Sequence, residues 1–160
     1  MLLINRRLAT GLLLVPIGGI RFADAALDVT ARITFILVND IYLMADELMS
    51  NGQHRGGFAR LAVVKAERVK ASATGGHVIF AHGGDTLSPS LMSGIDHGAH
   101  IMTLTNLIPP DIFVPGNHEF DFGKATFLQR MAEAKFPLYA ANLREPDGPR
   151  MREARHAWLV

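Results

Sequence analysis

Apolar and polar positions along this 160-residue chain fall into blocks whose period switches between that of a strand and that of a helix. Residues 32–38 (RITFILV) form an apolar, partly β-branched run closed by Asn39-Asp40, which predicts a buried strand with Asp40 at its carboxyl end. Residues 41–53 are mixed and end in the turn signal Ser50-Asn51-Gly52. After Gly56-Gly57, apolar residues recur at Phe58, Leu61, Ala62, Ala66 and Val69 with Arg60, Glu67 and Lys70 opposite, predicting a helix over 58–71. Val63 and Val64 widen its apolar surface, and Lys65 falls on that side and has to snorkel.

Thr74-Gly75-Gly76 closes this helix, and residues 77–82 (HVIFAH) read as a second strand running into Gly83-Gly84-Asp85. Ser88-Pro89-Ser90 is a loop that opens the next helix, which continues through 101–108 until Pro109-Pro110 stops it. Residues 112–115 make a third strand, 125–135 a helix and 136–141 (FPLYAA) a fourth strand. A polar stretch with a Pro/Gly loop follows, and 157–160 (AWLV) reads as the start of another strand. Strands alternating with helices define an α/β fold with a parallel or mixed sheet.

Composition narrows the chemistry. With 49% apolar and 19% charged residues, the chain can bury a core. Its net charge of +1 gives no electrostatic case for nucleic acid. Cysteine is absent, so disulfides, thiolate metal sites and cysteine nucleophiles are excluded, and any metal must be held by oxygen and imidazole. Residues 1–25 have the three parts of an export signal: Arg6-Arg7, an apolar core over 8–20, and Ala23-Asp24-Ala25 as a cleavage site. The core is shorter than the roughly 20 apolar residues of a membrane span, so a periplasmic or secreted protein without stable membrane insertion is expected.

Three successive strand ends carry Asp40, Asp85 and Asn117-His118. In an α/β sheet such ends converge on one edge and can share a site. Two carboxylates and an amide oxygen suit divalent ions, and a pair of ions clamps a phosphoryl group for in-line displacement. The strings Asn39-Asp40, Gly84-Asp85 and Gly116-Asn117-His118-Glu119 resemble the first motif blocks of the calcineurin-like metallophosphoesterases. Residues 56–61 (GGFARL), 116–123 (GNHEFDFG) and 141–143 (ANL) resemble, more narrowly, the exported 5'-nucleotidases.

The resemblance implies a sandwich of mixed sheets flanked by helices, with residues 26–160 as the N-terminal part of a catalytic domain truncated on its C-terminal side. It implies two divalent metal ions (Mn, Zn, Co, Fe, Mg or Ca), with Asp40 on the first, Asp85 bridging and Asn117 on the second. It implies His118 beside the scissile phosphate, with Asp121 orienting its ring. The expected substrate is a small nucleotide or other phosphomonoester hydrolysed by a metal-activated water. A phosphodiesterase, a sulfur-ester hydrolase or an inactive metal-binding fragment are the alternatives.

The sequence departs from the family pattern at Tyr42, where the family has His, and the later histidine blocks do not occur before Val160. A phenol binds metal well only as phenolate, so Tyr42 either ligates a different ion, lines the site or leaves the first metal weakly held. The structural alternative for Asp40 and Asp85 is capping of the following turn, and for His118 and Asp121 a local hydrogen bond. His97 and His100, three apart, read as one helix face; His82 reads as a satisfied strand histidine; Arg60 reads as pairing with a nearby carboxylate. Phe120 and Phe122 are expected to pack beneath the motif.

Overall fold

The structure, a computed structural model, describes residues 2–6 and 29–144. The expected cleavage site, most of the export segment and the 157–160 strand lie outside the described residues. In chain order the elements are β1 (Leu2–Arg6), β2 (Val29–Val38), β3 (Glu47–Leu48), β4 (His54–Arg55) and α1 (Phe58–Ser72). They continue with β5 (Gly76–His82), α2 (Ser93–Asp96), α3 (Ala99–Leu107), β6 (Ile112–Phe113), a 3-10 turn at His118–Phe120 and α4 (Gly123–Glu133).

One four-stranded sheet has the order β1-β2-β5-β6, with β1 antiparallel to β2 and the other neighbours parallel. The expected mixed sheet flanked by helices is therefore present. The pairing of β1 with β2 is one that cleavage after Ala25 would remove. The register places Val38 beside His82 and His82 beside Phe113, so β2, β5 and β6 end level with one another. The mixed stretch after β2 carries a small antiparallel ladder, β3 with β4, around the expected turn.

Helix α1 packs on β5 and β2; Phe58 is buried, and Leu61 and Ala62 are partly covered. Lys65 snorkels as expected: its Nζ donates to the Pro109 carbonyl at 2.7 Å and lies 4.9 Å from the Phe80 ring centre. Val69 and Ala66, expected on the buried face, are exposed. On β2, Phe35 and Leu37 are 57% and 71% exposed, so the face they share is left open. The core near the site is Phe113, Phe127 and Leu138, with Phe120, Leu128, Met131, Phe136 and Leu143 packed around it.

Two elements differ from expectation. The helix before Pro109 is broken into α2 and α3 by His97 and Gly98, both left-handed with φ of 51° and 82°. A side chain at Gly98 would meet the Cβ of Leu87 at 3.0 Å, so glycine lets Leu87 bury against the break. His97 and His100 consequently do not share a helix face. The fourth strand is reduced to a single parallel bridge, Phe113 with Leu138. Pro137 lies in this segment and has no N–H to give a longer ladder. Among the described residues no helix is long and apolar enough to cross a membrane.

The start of α3 depends on Asp96. Its carboxylate accepts from the Gly98 and His100 backbone N–H groups at 3.0 and 2.8 Å, and the His100 ring lies 2.8 Å away. Burial pushes the Asp96 carboxyl up, but the His100 and Gly98 hydrogen bonds outweigh it and hold the pKa below its ordinary value. A depressed folded-state pKa gives stability that is present above the unfolded value of about 3.9 and lost as pH falls through the folded one. Asp96→Ala is expected to cost about 1 kcal/mol at neutral pH in urea denaturation. The difference from the parent should shrink below about pH 3.9.

Candidate active site

The level ends of β2, β5 and β6 open into three loops that backbone hydrogen bonds stitch together. Gly83 N–H donates to Val38 O at 2.7 Å, Asp40 N–H to Gly84 O at 3.2 Å and Val114 N–H to His82 O at 2.9 Å. Gly84, at φ 77°, lies so close to the next loop that an added Cβ would fall 2.8 Å from the Pro115 carbonyl carbon. Only glycine allows that approach.

Asp40 and Asp85 both adopt left-handed backbone, at φ 55° and 53°. This conformation is uncommon for a residue with a side chain, though Asp tolerates it better than most. Neither residue begins a helix. The Asp85 Oδ1 accepts from the His118 backbone N–H at 2.9 Å, which binds the second loop to the start of the 3-10 turn. The Asp40 carboxylate accepts from the Asn39 amide and, at 2.7 Å, from the Tyr42 hydroxyl.

Glu119 is the residue whose role the sequence reading missed. It is fully buried, and its carboxylate accepts backbone N–H groups from Asp85 at 2.8 Å, Thr86 at 2.7 Å, Leu87 at 3.4 Å and Gly116 at 2.5 Å. The Gly-Asp loop and the Gly-Asn-His-Glu loop are thus held by one carboxylate. The signal was its place inside the motif, where a buried charge needs several donors.

His118 and Asp121 meet as expected: Nδ1 lies 2.7 Å from Asp121 Oδ2, across the 3-10 turn. The same Oδ2 accepts the Ser88 hydroxyl at 2.5 Å. Ser88 first and the His118 ring second hold the Asp121 carboxyl below its ordinary range. The hydrogen bond to Asp121, aided by the charges of Asp121, Asp85 and Glu119, raises the His118 pKa. With Nδ1 turned to the carboxylate, Nε2 is the ring nitrogen left to act on a ligand.

Tyr42 stands edge-on to the His118 ring, with centroids 6.2 Å apart. Burial, the hydrogen bond to Asp40 and the charges of Asp40, Asp85 and Glu119 all push its phenol well above the ordinary value. It therefore stands as a neutral donor to Asp40. The same three carboxylates make the loop edge a field that favours a cation.

The remaining candidates settle into structural places. His82 is buried; its Nδ1 accepts from Gly84 N–H at 3.0 Å, Nε2 has no partner, and burial lowers its pKa to about 4. It is therefore only half satisfied. Arg60 pairs with Asp46 at 3.2 Å, and His54 meets the same carboxylate. Phe120 packs on Phe127 beneath the motif, whereas Phe122 stacks on His97 with centroids 4.7 Å apart.

Among the described residues no group of three or more His, Asp or Glu side chains is arranged to hold a metal ion. Asp40, Asp85 and Asn117 offer hard oxygen donors that fit a divalent ion in kind. In number they fall short of filling two coordination shells.

Known proteins resemble this chain in sequence and in fold. In fold the chain is similar to YfkN of Bacillus subtilis, a calcineurin-like phosphoesterase, with TM-score 0.56 and 18% identity over 72% of this chain and 38% of that one. In sequence it is similar to proteins named 5'-nucleotidases. A snake venom 5'-nucleotidase of Gloydius brevicauda is 31% identical over 146 residues, 85% of this chain and 24% of the relative. The NAD nucleotidase of Haemophilus influenzae matches in structure with TM-score 0.62 and 23% identity, over 71% of this chain and 21% of that one. The chain thus spans about a quarter of the curated relative's length. No family model matches it.

Glu119→Gln would place an amide NH2 against backbone N–H donors at a fully buried position. The variant is expected to lose about 3 kcal/mol or more of stability. Thermal denaturation would measure this, and an unchanged midpoint would contradict the bridging role.

Proposed function

We propose that this chain carries part of the active site of an exported metal-dependent phosphoesterase acting on phosphomonoesters, nucleotides foremost. The observation that carries the reading is the convergence of Asp40, Asp85 and the His118–Asp121 pair on one sheet edge, with both aspartates in left-handed backbone. Strained conformations persist where the surrounding structure over-determines them, and such positions cluster at functional sites. The 5'-nucleotidase relatives support the substrate class. Residues 1–25, read as an export signal, support placement in the periplasm or outside the cell.

In this reading Asp40, Asp85 and Asn117 hold the divalent ions. When bound, the ions supply Lewis acidity toward the phosphoryl oxygens. His118 presents Nε2 to the phosphate, either donating to an oxygen as charge develops or protonating the leaving oxygen. Its raised pKa favours the protonated ring that such a donor needs. Asp121 fixes the ring through Nδ1 and does not itself transfer the proton. Tyr42 lines the site as a donor to Asp40 and restrains that carboxylate.

The test is phosphate release from nucleotides, aryl phosphates and phosphodiesters with Mn, Co or Zn supplied, before and after chelation. Nucleotide turnover abolished by chelator is the expected result; no release from any ester would reject the reading. His118→Ala should lower kcat by about 10²- to 10⁴-fold. Tyr42→His should raise metal content measured on purified protein, because imidazole is a neutral ligand where the phenol is a donor.

A further inference from the structure

We propose that Ser88 is a positioning residue for the His118–Asp121 pair, setting the orientation of the carboxylate that in turn fixes the imidazole. Its hydroxyl donates to Asp121 Oδ2 at 2.5 Å, the oxygen that His118 Nδ1 meets at 2.7 Å. Asp121 thus stands between a serine and a histidine. That order differs from a nucleophilic triad, where histidine stands between serine and carboxylate and the hydroxyl is free to attack. Here the hydroxyl proton is committed to the carboxylate and Ser88 is only 6% exposed, so it does not serve as a nucleophile.

The segment bearing Ser88 is built to hold it still. On its amino side, Thr86 and Leu87 donate their N–H groups to the buried Glu119 carboxylate, and Leu87 is completely buried. On its carboxyl side, Ser90 and Ser93 exchange side-chain to backbone hydrogen bonds at 2.8 and 2.9 Å. Asp121, by contrast, has a side chain that is 38% exposed and lies just after a short 3-10 turn. A carboxylate in that place has several rotamers open to it. A donor fixed from the buried side selects one and leaves Oδ2 in line with Nδ1. Outer partners of this kind govern ligand orientation at active sites.

The proposal rests on the phosphoesterase reading for its kinetic arm only. Three variants, Ser88→Ala, Ser88→Cys and Ser88→Thr, would be compared on the full chain. In protein labelled with ¹⁵N in its imidazoles, the His118 Nδ1 proton resonance should be lost to exchange in Ser88→Ala and Ser88→Cys and kept in Ser88→Thr. Cysteine fills nearly the same volume with a weak donor, so it separates the lost hydrogen bond from a lost fold. With nucleotide and metal, kcat should fall about tenfold in the Ala and Cys variants with KM unchanged, and recover in Thr. A folded Cys variant with the parent His118 resonance would overturn the proposal. So would a folded Thr variant that behaves like Ala. Absence of phosphate release from the parent chain would reject the phosphoesterase reading and leave the resonance to decide the role of Ser88.

Discussion

A single buried carboxylate joins two of the three loops at the sheet edge. Glu119 collects backbone N–H groups from both the loop after β5 and the loop after β6. Without it those donors would be orphaned in a water-poor interior, at a cost of about 1–3 kcal/mol each. With it, two loops distant in sequence become one rigid piece. The Asp85 carboxylate, pinned by the His118 N–H, and the Ser88 hydroxyl, aimed at Asp121, both take their places from that piece. Charge used in this way organises rather than reacts, and it does so because backbone amides present fixed donors that no side-chain rearrangement can withdraw.

The parallel register supplies the other half of the arrangement. Because β2, β5 and β6 end level, three chain reversals occur side by side, and the backbone ladder continues past the strands into the loops. The edge that results gathers the negative charges of Asp40, Asp85 and Glu119. Burial first and the hydrogen bond to Asp40 second raise the Tyr42 phenol, and the hydrogen bond to Asp121 raises the His118 ring, with the charges of Asp85 and Glu119 adding to both. Negative charge is concentrated where three loops meet.

Much of this was legible in the sequence. The apolar runs closed by Asn39-Asp40, Gly84-Asp85 and Gly116-Asn117 located all three strand ends, since a β-branched run followed by Gly or Asp has few other solutions. The snorkelling of Lys65 followed from helix periodicity alone. What escaped depended on tertiary contacts. Ser88 sits in a Ser-Pro-Ser string that reads only as a turn, and its partner is 33 residues away. Glu119 lies in a recognisable motif, but nothing local says that its oxygens face another loop. The break at His97-Gly98 did have a signal, since glycine in a helical pattern is a weak point, and the periodicity of 101–108 hid it. The fourth strand failed for a related reason: FPLYAA has the composition of a strand, yet only Leu138 forms a bridge.

The left-handed aspartates carry a consequence for how this region can vary. At φ near 55° a β-carbon is tolerated chiefly when its side chain is Asp or Asn, and glycine is at ease there. The backbone at positions 40 and 85 therefore filters sequence before chemistry does. Among residues that bear a side chain it favours Asn, Asp and His, the last represented in this chain by His97 at φ 51°. Asn at either position would keep an acceptor oxygen for the His118 N–H or the Tyr42 hydroxyl while removing the charge, whereas Gly would remove the acceptor as well. The left-handed backbone at positions 40 and 85 is thus compatible with loss of both charges while their hydrogen bonds are kept.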